Sequence, residues 1–238
     1  MITTNFKLFG VTHLIILGSI VALAAALAAA QRRLGPGSKG LRLGLAAILV
    51  LDTAGWDAFL MGHRQLTFPA HLPVELCDAT LYLTIIALFT MSPWVFDVAY
   101  YWALAGTSMA LLTPDLWERF PSLSTAQFFV AHGLVVIAIL YLVWSRLARP
   151  RRGSVVRAML GVNLWAAFDG ALDWIFKTNY MYLRVKPANF SLLNLLGPWP
   201  WYMAATEAVA LGLFLLLYLP FRHGNVQPKM NPENSPAR

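Results

Sequence analysis

Cys77 and His132 are the residues of this 238-residue chain best suited to covalent chemistry. The thiolate is the nucleophilic form of cysteine. A free thiol ionises only near about pH 8.5, so it needs a partner that takes its proton, and imidazole is the usual one. A lone cysteine in an apolar helix is also a small buried hydrophobe. A histidine followed by glycine, as in His132-Gly133, also suits a hydrogen bond between packed helices. Both pairs of readings stay open on the residues alone. His13 is a second candidate base. His63, His71 and His223 read as interfacial, and no two histidines stand in the H-x-x-x-H spacing of a metal site. With Cys77 the single cysteine, no thiolate cluster or intrachain disulfide is available, so no cofactor is expected.

The acidic residues are placed unusually. Asp52, Asp57, Glu75, Asp78, Asp97, Asp169, Asp173 and Glu207 fall inside or at the edges of apolar stretches. A charge at the centre of a bilayer costs at least about 2.5–3.5 kcal/mol on insertion scales, so such groups face a bundle interior, pair, or hold a proton. Asp169, Asp173 and Lys177 recur every four residues and share a helix face. That face is either a self-satisfied ladder or the wall of a polar cavity. Buried acids of this kind also suit a proton-coupled carrier, although no inverted repeat is visible.

The elements that must position these groups are transmembrane helices. The chain is 58% hydrophobic and 12% charged, against roughly 45–50% and about 25% for a soluble domain. Mean hydropathy is +0.60. A soluble globule, a disordered chain and a coiled coil are excluded as the main architecture. The apolar runs are continuous rather than alternating, which excludes a barrel. Seven stretches stand out, roughly Phe9–Ala30, Leu41–Met61, His71–Thr90, Trp94–Leu112, Ala126–Leu147, Val155–Phe176 and Trp199–Leu219. The expectation is an all-α seven-helix transmembrane bundle over 1–221, followed by a polar, disordered cytoplasmic tail over 222–238. The basic balance reads as loop charge, and no basic helix face or aromatic-interleaved patch points to nucleic acid.

Sorting Lys and Arg by alternate sides gives six on one side (Lys7, Arg64, Arg119, Lys177, Arg184, Lys186) and twelve on the other. The positive-inside rule then places the N-terminus outside and the C-terminus inside, as expected of a multi-pass protein of the plasma membrane. Counting helix rise from the outer ends puts Cys77 and His132 each about 9 Å down, with Asp57 and Asp173 near the same level.

The sixth loop is the most distinctive segment. It runs through Asn179-Tyr180-Met181-Tyr182-Leu183-Arg184 and Lys186-Pro187-Ala188-Asn189 to Gly197-Pro198-Trp199-Pro200-Trp201-Tyr202. Trp199, Trp201 and Tyr202 fit an interfacial aromatic belt, and Arg184 and Lys186 suit a lipid phosphate.

Three segments carry a family resemblance. Leu72-Pro73-Val74-Glu75-Leu76-Cys77-Asp78, Gln127-Phe128-Phe129-Val130-Ala131-His132-Gly133 and the 179–202 loop resemble the YwaF-like integral membrane proteins of bacteria. That family looks related to seven-helix eukaryotic acyltransferases that remodel ether phospholipids, and more distantly to intramembrane hydrolases of fatty-acid esters of hydroxy fatty acids. The resemblance implies Cys77 as nucleophile and His132 as its partner. Glu75 stands where the family pattern has histidine, and Asn194 where it has aspartate. The expected function is thiol-dependent acyl transfer on phospholipid or lysolipid chains in the outer half of the bilayer, with membrane lipids as the partners. Asp57, Asp78, Asp169, Asp173, Asn179, Tyr180, Arg184, Lys186 and Glu207 are expected to bind or orient the substrate, Asp169, Asp173 and Glu207 also to orient His132. A lipid-ester hydrolase on the same site and a carrier using the buried acids are the alternatives.

Overall fold

The computed structural model describes residues 6–116, 118, 120–188 and 191–222. Asn189, Arg119 and the tail beyond Arg222 lie outside the described residues. Among those described there is no strand, and seven helices make up the chain. They are α1 (Val11–Leu34), α2 (Gly40–Gly62), α3 (Leu76–Thr90), α4 (Pro93–Leu112), α5 (Leu123–Trp144), α6 (Ser154–Phe176) and α7 (Trp201–Phe221). Six are long and apolar enough to cross a membrane, and α3 is the shorter one, with 15 residues. The molecule is an all-helical, polytopic membrane protein.

The third apolar stretch does not become helical at His71. Pro73 disfavours helical backbone at Leu72, and the helix opens instead on a reciprocal cap. The Glu75 side chain accepts from the backbone N–H of Asp78, and the Asp78 carboxylate accepts from the Glu75 N–H at 3.1 Å. Cys77 is therefore the second residue of α3, while His132 lies nine residues after the first residue of α5. Counting rise from helix ends does not set the two at one level. At 1.5 Å per residue α3 is about 22 Å long, short of the roughly 30 Å hydrocarbon core. The loop between α6 and α7 covers its start, where the Met181 N–H donates to Glu75.

α4 and α5 form the centre, with about half of each span buried (56% and 50%), and the other long helices are far more exposed. α4 begins with Pro93 in its first turn, where a missing N–H costs nothing. It passes through a π-helical segment at Trp102–Thr107 before resuming α geometry. π segments widen a helix locally and recur at functional sites. α1 lies close along α5: a Cβ added at Gly133 would stand 3.1 Å from Ile20 Cδ1. A further tie is His13, whose Nδ1 accepts from the Phe9 N–H at 3.0 Å and whose Nε2 donates to the Leu111 carbonyl at 2.8 Å. Both ring nitrogens are used, so the second candidate base is a helix–helix tie.

The opposite end of the bundle is held by its own polar links. Asp97 is fully buried and pairs with Arg151 and Arg157 at 2.7 and 2.8 Å. Both guanidiniums lie over the Trp94 ring. Tyr141 donates to Gln31 at 2.7 Å. Arg42 donates to the carbonyls of Leu88 and Phe89 at the end of α3.

Candidate functional site

The start of α3 gathers most of the expected residues. The Cys77 thiol, half-buried, lies beside the Thr107 hydroxyl and within electrostatic reach of Asp78 and Glu75. Thr107 belongs to the π segment of α4, and its buried hydroxyl has no other partner among the described residues. Gly106, beside it, faces α3: a Cβ there would meet Leu76 Cδ2 at 3.7 Å, ordinary contact. The segment before α3 is anchored by Trp165 of α6, whose Nε1 donates to the Val74 carbonyl at 2.8 Å. Tyr180 closes the same segment from above by donating to the Pro69 carbonyl.

Glu75 ties this start to the roofing loop. Its Oε2 accepts from the Met181 N–H at 2.9 Å. Burial pushes the Glu75 carboxyl above its ordinary value of 4.5; the Met181 N–H opposes the shift, and the Asp173 carboxylate adds to it. Met181 and Tyr182 are both held at positive φ, 51° and 55°. Such backbone costs on the order of 1–3 kcal/mol per residue and persists where surroundings enforce it. The enforcement is visible. Tyr182 donates to Asp115 at 2.8 Å, and the Tyr182 carbonyl accepts from Tyr202 of α7 at 2.5 Å. Burial pushes the Tyr182 phenol up, and the Asp115 carboxylate it faces adds to this. Asn179 braces the rest of the loop, accepting from the Arg184 and Val185 N–H groups at 2.9 Å each.

α6 brings its acids to the same place. Asp169 is 0% exposed and Asp173 1%. Asp169 lies within electrostatic reach of Glu75, Asp173 and Asp78. Among the described residues, both Asp169 oxygens are buried without a hydrogen-bond partner, as is Asp173 Oδ2. Asp173 Oδ1 accepts from the Thr178 hydroxyl and the Tyr180 N–H, each at 2.8 Å. The ladder reading of Asp169, Asp173 and Lys177 is thereby removed. Lys177 takes a left-handed conformation that ends α6, and its ammonium lies over the Trp174 ring.

His132 stands on α5, which packs against both α3 and the π segment of α4. A carbonyl only accepts, so the 2.8 Å contact of Nδ1 with Phe128 O fixes the proton on Nδ1. The ring stacks on Phe128, with centroids 4.1 Å apart. Nε2 then carries a lone pair, makes no hydrogen bond among the described residues, and is not among the buried unpartnered atoms. No hydrogen bond joins His132 to Cys77. The orientation of His132 comes from Phe128, not from the carboxylates of Asp169, Asp173 or Glu207. Glu207 instead accepts from Asn163 Nδ2 at 2.6 Å between α7 and α6. Asp57 is exposed on α2, within electrostatic reach of Asp78.

The two loop cations differ. Lys186 donates to the Gly197 carbonyl at 2.5 Å and lies over the Tyr202 ring. Arg184 donates from Nη1 to the Thr178 carbonyl at 3.1 Å and is exposed. It lines a groove of ≈ 410 Å³ between α6 and α7, with Asn163, Ala166, Gly170, Asp173 and Met203 among the other walls. Thr107, Trp165 and Tyr182 are site residues that sequence reasoning did not single out. The Gly106-Thr107-Ser108 interruption of an apolar run was the one available signal for the first.

Similar proteins can be set beside this geometry. An uncharacterized protein of Treponema pallidum (strain Nichols) is 30% identical over 159 residues, a match that covers 66% of this chain and 66% of that protein. No solved structure matches. The model of the TMEM164 family matches residues 8–218, which takes in all seven helices to Tyr218. The chain belongs to the TMEM164 family.

Proposed function

We propose that the protein is an intramembrane acyltransferase acting on lipid acyl chains, with Cys77 as nucleophile and His132 as general base. The observation that carries this reading is the state of His132. Its Nδ1–H is committed to Phe128 O, which leaves Nε2 unpartnered and able to accept a proton. The Cys77 thiol sits at the start of α3, beside a hydroxyl that has no other partner among the described residues.

The chemistry runs in two halves. The Cys77 sulfur attacks the acyl carbonyl of the donor lipid, and the thiol proton passes to His132 Nε2. The ester C–O bond breaks, and the leaving alcohol oxygen takes that proton. The hydroxyl of a lysolipid then attacks the thioester and gives its proton to Nε2. The C–S bond breaks, and the proton returns to sulfur. Water in place of the lysolipid gives the hydrolase. The resemblance of the Cys77, His132 and 179–202 segments to the YwaF-like proteins, and through them to ether-phospholipid acyltransferases, supports the same assignment. In this reading the protein lies in the plasma membrane with its N-terminus outside and Cys77 in the outer half, an orientation that the count of basic residues by side supports.

The unpartnered oxygens of Asp169 favour a second reading, a proton-coupled carrier. One experiment separates the two. Purified protein is mixed with donor phospholipid and lysolipid, and acyl exchange is followed by lipid mass spectrometry. Exchange that disappears in Cys77→Ala supports the enzyme. Exchange absent from the wild type, together with solute flux in proteoliposomes that depends on Asp169, supports the carrier.

A further inference from the structure

Thr53, Thr80, Thr84, Thr90 and Thr206 each donate their hydroxyl to the carbonyl four residues earlier, at 2.6 to 3.0 Å. This is the ordinary local use of a threonine inside a helix. Thr107 does not make that bond. Its side chain is buried, and its hydroxyl has no hydrogen-bond partner among the described residues. The carbonyl it would use belongs to Ala103. The π segment hands that acceptor to the next residue: the Ser108 N–H donates to Ala103 O, and so does the Ser108 hydroxyl at 3.3 Å. The π turn therefore does more than widen α4. It takes the usual acceptor away from Thr107 and leaves a free hydroxyl in a buried place, where an unmade hydrogen bond is costly. That hydroxyl lies beside the Cys77 thiol.

A thiolate at this place is short of donors. Asp78 and Glu75 are within electrostatic reach of the sulfur, and as carboxylates they repel a negative charge. The other donors near the start of α3 are committed elsewhere. Trp165 Nε1 donates to Val74 O and the Tyr180 hydroxyl to Pro69 O. The Tyr182 hydroxyl, itself within electrostatic reach of Cys77, donates to Asp115. The Nδ1–H of His132 is held by Phe128 O. Thr107 is left as a neutral donor whose hydrogen can rotate to suit its acceptor. A hydrogen bond to an ionised partner is roughly twice as strong as one to a neutral partner. The Thr107 bond is thus gained mainly as charge develops on sulfur, which is when it lowers a barrier.

We propose that Thr107 is a catalytic residue of the Cys77 site, its hydroxyl donating to the sulfur whenever the sulfur carries negative charge. The proposal rests on the nucleophile reading of Cys77 and adds a third group to that site. In the first half the thiol proton goes to His132 Nε2, and Thr107 donates to the sulfur that attacks. The bond lapses in the thioester, where the sulfur is neutral. In the second half the C–S bond breaks, its electron pair returns to sulfur, and Thr107 donates again until the proton comes back from Nε2. No atom passes to or from Thr107.

The test reads the thiol itself, with no lipid substrate present. Full-length protein in detergent is treated with iodoacetamide near neutral pH, and modification of its single cysteine is followed by intact mass. Thr107→Val keeps the shape and removes the donor. It is expected to slow alkylation about tenfold, the scale of one hydrogen bond to a charged group. Thr107→Ser keeps the donor and is expected to recover most of the lost rate. Thr107→Ala covers the case of a valine variant that does not fold, and it is expected to be slow as well. A purely packing role predicts the opposite there, since a cavity beside the thiol admits the reagent. Equal rates in the wild type and Thr107→Val, including no reaction in either, overturn the proposal. So does a Thr107→Ser protein as slow as Thr107→Val, or faster alkylation in Thr107→Ala. Acyl exchange measured in parallel keeps the two claims apart. Alkylation that slows in Thr107→Val and recovers in Thr107→Ser supports the donor even where no variant exchanges acyl chains. Exchange lost in Thr107→Val with alkylation unchanged puts the hydroxyl on the acyl oxygen instead and overturns it.

Discussion

Cys77 and His132 are asked to act together, and each has a distinct expected phenotype. Cys77→Ala removes the proposed nucleophile and is expected to abolish acyl exchange. His132→Gln removes the proposed base and is expected to slow exchange by about 10²–10⁴-fold, the usual contribution of a positioned acid or base. Both are read by lipid mass spectrometry on protein whose melting temperature matches the wild type. Glu75 gives a pH-dependent prediction. Its folded-state value is raised above the ordinary 4.5, so the folded state holds this proton more tightly than the unfolded chain. Its contribution to stability is greatest at low pH and is lost as pH rises from the ordinary value through the raised one. Glu75→Gln keeps an acceptor for the Met181 N–H, removes the charge, and is expected to raise the melting temperature at neutral pH and flatten its acid dependence. A lower melting temperature at every pH contradicts this. At this scale the sequence displayed residue types but not partners. It showed Asp169 and Asp173 on one face, and it had no means of showing that both Asp169 oxygens lack a donor while Lys177 turns away to Trp174. It displayed His132 but not Phe128 O, because a backbone carbonyl leaves no compositional mark.

Among the elements, the start of α3 decides the site. Trp165 satisfies the Val74 carbonyl and holds the segment that leads into Cys77. Trp165→Phe keeps the ring and removes the donor. It is expected to cost about 1–3 kcal/mol for the carbonyl left unpaired and to speed alkylation of Cys77 by a maleimide, measured by intact mass. Unchanged alkylation with unchanged stability would show that Trp165 does not anchor the site. Gly133 tests the element carrying His132. A larger residue there meets Ile20, already 3.1 Å from an added Cβ, and Gly133→Val is expected to destabilise by about 1–3 kcal/mol through overpacking. Most helices were legible as apolar runs to within a few residues, because a span needs an unbroken apolar stretch. α3 was the exception. Its apolar run begins before its helix, since Pro73 and the Glu75–Asp78 cap set the start and hydropathy does not register either. The π segment of α4 was equally invisible, because its residues differ little in hydropathy from those of a regular helix.

Taken whole, the molecule has two unlike ends. One is fastened by Asp97 with Arg151 and Arg157, and by Gln31 with Tyr141. The other carries Cys77, the unpartnered carboxylates and the strained loop over them. The twelve basic residues against six predict that the fastened end is cytoplasmic. A green fluorescent protein fused at the C-terminus is expected to fluoresce, and alkaline phosphatase at the same place to stay inactive; the reverse pattern refutes the orientation. The central claim is that the end carrying Cys77 forms an acyl–thioester on that residue. The most direct measurement is the intact mass of the purified protein after incubation with donor phospholipid and no acceptor. The account predicts a gain of one acyl chain that neutral hydroxylamine removes and that Cys77→Ala abolishes. A protein that exchanges acyl chains with no such adduct, or that carries the same adduct after Cys77→Ala, would contradict it.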